Sequence, residues 1–121
     1  MKVPAMKALL VEDDAAIALV VETVLQREGW TVRHVLDGAS ALEGDDAPDL
    51  LVTDLNLPGA QNGLEIAHLL RERRPGMAVV LMSGDYEESD MAPQGMAVLP
   101  KPFRRAGLLA AIAQATGAIR T

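Results

Sequence analysis

The sequence predicts an α/β fold: a doubly wound, five-stranded parallel sheet with helices on both faces. Five short runs, four of them mainly Leu, Val, Ala and Met, alternate with segments of helical periodicity, the signature of repeated strand–helix units. Most of these runs are nearly continuous rather than alternating, as strands covered on both faces require. Polar residues with chemical potential collect at the ends of the runs, where open α/β sheets bind ligands. Right-handed crossovers leave few topologies, and the order 2-1-3-4-5 suits five strands.

Each element follows in order. Met6 to Val11 is a first strand, ended by Glu12, Asp13 and Asp14. Asp14 is placed to cap the next helix, in which Ile17, Val20, Val21, Val24 and Leu25 recur on one face. Glu28-Gly29 ends that helix. Trp30 to Val35 is a second strand, and its Arg33 and His34 fit an edge position. Asp37-Gly38 turns the chain into a short helix, Ala39 to Leu42, closed by Gly44 to Pro48. Leu50 to Thr53 is a third strand that stops on Asp54, and Pro58-Gly59 then breaks the chain. Gly63 to Arg74 is a helix with Leu64, Ala67 and Leu70 inward, stopped by Pro75-Gly76. Met77 to Met82 is a fourth strand that runs into Ser83. Residues 87–95 are polar and interrupted by Pro93, so a short or degraded fourth helix is expected. Met96 to Leu99 is a fifth strand, followed by Pro100 and Lys101. Leu108, Leu109, Ile112, Ala113 and Ile119 mark a final helix. The whole is a flavodoxin-like arrangement.

With 121 residues the chain suits a single domain, 1–121 with its core over 6–116, and no output domain is expected within it. Half of the residues are hydrophobic, but there is one Trp, one Tyr and one Phe, so the core must be aliphatic. With no Cys, disulfides and thiolate metal sites are excluded. The formal charge of −6 argues against direct nucleic-acid binding. No apolar run is long enough for a membrane span or a signal peptide, and a cytoplasmic protein is expected.

In the proposed sheet four strand ends meet at one edge. The first brings Glu12 and Asp13, the third Asp54, the fourth Ser83, and the fifth Lys101. Three acids in one pocket repel each other and raise a pKa; a hard divalent cation removes the conflict. Mg²⁺ prefers oxygen ligands and commonly pairs one or two carboxylates with a phosphoryl group. Lys101 adds a mobile point charge suited to a phosphoryl oxygen, and Ser83 a hydroxyl donor. An Asp carboxylate so placed can act as a nucleophile toward phosphorus.

These residues carry a resemblance. Leu-Val-Glu-Asp-Asp (10–14), Val-Thr-Asp-Leu-Asn-Leu-Pro-Gly (52–59) with Gly63, Met-Ser-Gly (82–84) and Lys-Pro-Phe (101–103) resemble, in that order, the receiver domain of two-component response regulators. The resemblance covers roughly residues 6 to 116. It implies that Asp54 accepts a phosphoryl group from a phosphohistidine of a histidine kinase or histidine phosphotransferase. It implies Mg²⁺ bound directly by Asp13 and through water by Glu12, with Asp54 and the carbonyl of Asn56 also at the metal. Ser83 and Lys101 would hold the phosphoryl oxygens, and the Lys101–Pro102 peptide would be cis. Such a domain is a phosphoacceptor that switches protein–protein contacts with an output protein, not an enzyme, although it assists its own phosphorylation and dephosphorylation. The stretches Leu-Pro-Gly-Ala-Gln-Asn-Gly and Lys-Pro-Phe-Arg-Arg-Ala-Gly-Leu-Leu resemble receivers of hybrid histidine kinases, so a stand-alone receiver and a piece of a longer protein both fit.

Two departures concern the relay rather than the chemistry. Val98 stands where receivers carry a rotating Tyr or Phe. Lys101 follows Ser83 by only 18 residues, a few fewer than the resemblance implies. They motivate an alternative, a pseudo-receiver interaction module whose output ignores phosphorylation. A phosphatase of the haloacid-dehalogenase type is disfavoured, because its Asp-x-Asp pattern on the first strand is missing from Glu12-Asp13-Asp14.

Overall fold

β1 (Lys7–Val11), β2 (Thr31–Val35), β3 (Leu50–Asp54), β4 (Ala78–Ser83) and β5 (Met96–Pro100) form one sheet in the order β2-β1-β3-β4-β5. Every pairing is parallel. The computed structural model describes residues 6–44, 47–84 and 95–117. Within them run four helices, α1 (Ala15–Arg27), α2 (Gly38–Ala41), α3 (Gly63–Arg73) and α4 (Arg105–Gly117). The degraded helix expected between Ser83 and Met96 falls outside the described residues. Fold class and strand order agree with the sequence expectation, including β2 at an edge.

Successive residues of each inner strand point to opposite faces, and here each face has its own core. On one, Leu10, Val52, Val80, Met82 and Leu99 pack with Val21 and Leu25 of α1 and Leu108 and Ile112 of α4. On the other, Leu9, Val11, Leu51, Val79, Leu81 and Met96 pack with Ala41 and with Ile66, Ala67 and Leu70 of α3. Two-sided burial is why the runs read as continuous. Each such aliphatic side chain contributes roughly 2 kcal/mol relative to exposure.

Local chemistry sets the helix ends. The Asp14 carboxylate accepts from the amides of Ala16 and Ile17 at 2.9 and 3.1 Å, as a cap should. Asn62 and Glu65 form a reciprocal capping box at the start of α3. Asp37 caps α2 through the Ser40 amide at 2.8 Å. Two details of the expected helix faces differ. Val20 is 53% exposed because it lies on the flank of the α1 apolar arc, and Ala18 takes the inward position. In α3 the fully buried residue at the near end is Ile66, with Leu64 half-buried beside it.

Candidate functional site

Register brings the site together. Val11 pairs with Thr53, Asp54 with Met82, and Ser83 with Pro100. The strands therefore end at nearly one height, and Glu12, Asp13, Asp54, Ser83 and Lys101 share the carboxyl-end edge. The Glu12 amide donates to the Val35 carbonyl, and the Lys101 amide to the Ser83 carbonyl at 2.8 Å. These backbone bonds hold the two outer contributors in place.

Carboxylate oxygens of Glu12, Asp13 and Asp54 lie within 4.8 Å of one another. Glu12 and Asp54 are buried, and Asp13 is exposed. The Lys101 ammonium reaches both buried acids, at 2.9 Å from Glu12 Oε1 and 3.3 Å from Asp54 Oδ2. Burial pushes the Glu12 carboxyl above its ordinary range, and the Asp54 charge adds to this; hydrogen bonds from Lys101 and the Asp14 amide oppose it. Burial pulls Lys101 down, but its hydrogen bond to Glu12 and the charges of Asp54 and Glu12 together leave it raised.

The remaining expected residues are also at this edge. Ser83 is buried at the last position of β4. Asn56 is exposed just beyond β3, and its amide approaches Asp54 Oδ1 at 3.4 Å. The Lys101–Pro102 peptide is cis. Three supports were not foreseen. Thr53 Oγ1 donates to the Asp54 carbonyl at 2.9 Å. His34 of the edge strand β2 is half-buried, and its Nε2–H donates to the Glu12 carbonyl at 2.8 Å. Gly63 packs so closely that an added Cβ would lie 2.2 Å from the Asp54 carbonyl oxygen. A Gly opening a helix hinted at the last; nothing local announces the other two.

The donor set suits a hard divalent cation. Oxygen ligands crowd together, and among the described residues Lys101 is the cation that pairs with Glu12 and Asp54. Such an acidic cluster matches the Mg²⁺ preference for carboxylates and waters.

The family model for the response regulator receiver domain matches residues 8–113. The chain belongs to that family. Receiver domains are phosphoacceptor signalling domains of two-component systems, working with histidine kinases and output domains. One curated relative is the alkaline phosphatase synthesis transcriptional regulatory protein SphR of Synechococcus elongatus. It is 37% identical over 123 residues, covering 88% of this chain and 47% of the relative. The chain spans about half the length of the curated relatives it matches. A crystal structure of a response regulator receiver protein from Sinorhizobium medicae is 33% identical, with a TM-score of 0.83 over 95% of this chain and 97% of that one. The receiver domain of sensor histidine kinase PA1611 from Pseudomonas aeruginosa shares the fold at 24% identity, with a TM-score of 0.77 over 94% of this chain and 99% of its own. Its structure holds a magnesium ion in the active site cleft. Among the described residues of this receiver no helix is long and apolar enough to cross a membrane.

Proposed function

We propose that this receiver accepts a phosphoryl group on Asp54 from a histidine kinase or histidine phosphotransferase, and thereby switches its protein–protein contacts. The observation that carries the proposal is the placement of the Lys101 ammonium 3.3 Å from Asp54 Oδ2, within a cluster of three carboxylates. An Asp54 oxygen would form the O–P bond as the donor's N–P bond breaks, and the imidazole would leave with the bonding electrons. Lys101 and the Ser83 hydroxyl would meet the phosphoryl oxygens. The flexible lysine stem lets the point charge follow the transferring group. Mg²⁺ held by Asp13, Asp54, the Asn56 carbonyl and, through water, Glu12 would neutralise charge on that group when bound. A cytoplasmic setting, the absence of direct nucleic-acid contact by this domain and a phosphoacceptor rather than enzymatic role belong to the same proposal.

Incubation with Mg²⁺ and a small phosphodonor should add one phosphoryl group, and Asp54→Asn should abolish the labelling. Undiminished labelling in that variant would assign the acceptor elsewhere. Val98 favours one second reading, an interaction module indifferent to phosphorylation. It requires partner affinity that does not change with beryllofluoride, so a large change would exclude it.

A further inference from the structure

With Val98 in β5, the receiver has no ring at the switch position. A different connection does run from the site to β5, and it passes through α3. At its near end, α3 begins against Asp54. An added Cβ on Gly63 would lie 2.2 Å from the Asp54 carbonyl oxygen and 3.1 Å from Leu55 Cα. The Gly63 amide also donates to the Leu55 carbonyl at 2.9 Å. No slack separates the helix from the strand end that carries the acceptor.

In its last turn, roughly 12 Å along the helix axis from Gly63, α3 presents Arg71. Its Nη2 donates to the Gly95 carbonyl at 2.6 Å and its Nε to the Met77 carbonyl at 3.2 Å. Those residues directly precede β5 and β4. Gly95 has a φ of 77° and leaves only 3.3 Å between a would-be Cβ and the guanidinium, so residue type and geometry are matched to the clamp. Between the ends, Ile66, Ala67 and Leu70 are fully buried in one cluster with Met96. Leu55, Leu57, Leu64 and Val98 pack against the same cluster. A contiguous packed row thus joins the loop after Asp54 to β5. Interiors at this density shift as units rather than absorb a displacement.

We propose that α3 relays the state of Asp54 to β5, with Arg71 as the positioning residue that couples the helix to the strand. The proposal rests on Asp54 being the phosphoacceptor. Charge added there displaces the Leu55–Asn62 loop, α3 follows because Gly63 leaves no gap, and Arg71 carries the shift to the Gly95 carbonyl. The β5 edge then has two arrangements whose balance the site biases.

The test is amide hydrogen exchange on the ¹⁵N-labelled chain with Mg²⁺, with and without beryllofluoride, and with ¹⁹F spectra reporting its binding. Wild-type protein should change protection at Gly95, Met96 and Val98 by about fivefold or more, the lower end of ordinary coupling between sites. Arg71→Met should still bind beryllofluoride but lose that response. Arg71→Lys, which keeps the charge without the planar fork, should lose most of it and guards against a variant that fails to fold. Unchanged β5 amides in wild-type protein with beryllofluoride bound, or a full response in either folded variant, would overturn the relay. A wild-type protein that binds no beryllofluoride would overturn the phosphoacceptor reading and the relay with it.

Discussion

At the carboxyl-end edge of the sheet, three carboxylates gather and two of them share one lysine; at the opposite edge, the arginines that close α3 each find partners. Arg71 holds the carbonyls of Met77 and Gly95, and Arg73 those of Gly44 and Leu42 at 3.0 and 3.2 Å. Arg74 pairs with Asp49, whose carboxylate also takes the Lys7 amide at 2.8 Å. Both edges are densely charged, yet among the described residues the carboxyl-end, or upper, edge is where three carboxylates crowd together, two of them buried. Groups that serve structure are brought to partners. A partly buried cluster of like charges held by one shared cation is the kind of arrangement that marks a candidate functional site.

The largest test of that contrast is Lys101→Met. It leaves the buried Glu12 and Asp54 carboxylates without their shared cation, and should cost about 3 kcal/mol in urea unfolding. A loss below the size expected for a surface pair would mean that the upper edge is as relaxed as the lower. Next comes Gly63→Ala, which forces a methyl group into the Asp54 carbonyl and should cost about 2 kcal/mol. An unchanged unfolding midpoint would show that α3 can retreat from the strand end.

A smaller effect is pH-dependent and belongs to the upper edge alone. The Glu12 pKa is raised in the folded state above its ordinary 4.5, so the folded protein binds that proton more tightly. In EDTA, stability should fall as pH rises from 4.5 through the raised value. Mg²⁺ should flatten the slope, since it stabilises the ionised cluster. Lys101, also raised, adds stability that is complete below 10.5 and lost as pH climbs through its folded pKa. Stability that increases across the acidic window in EDTA would mean that burial does not govern Glu12. The smallest expected change is Arg74→Ala. Its side chain is 49% exposed, so losing the Asp49 pair should cost under about 1 kcal/mol by the same unfolding measurement.

Much of this could be anticipated because two-sided burial leaves a plain mark. Leu50 to Val52 and Ala78 to Met82 are apolar without interruption, since both of their faces meet helices. Asp14 and the Pro75-Gly76 stop mark helix ends through local hydrogen bonding and backbone restriction alone. The helix faces were less legible. Val20 and Ile66 both suit an apolar stripe, and only the angle at which each helix meets the sheet sends one outward and the other in. His34 suits an edge strand, and nothing beside it in the chain reveals that its ring reaches the Glu12 carbonyl.

The chain itself determined the elements, their parallel pairing and the kinds of groups at the strand tips, because periodicity, capping and turn chemistry act over a few residues. Tertiary structure alone decided that Lys101 stands between Glu12, 89 residues away, and Asp54. It likewise set the start of α3 against the Asp54 carbonyl. Those distances depend on the relative heights of strands from separate segments, and that height is settled only when all four pair in one sheet and pack against the same helices.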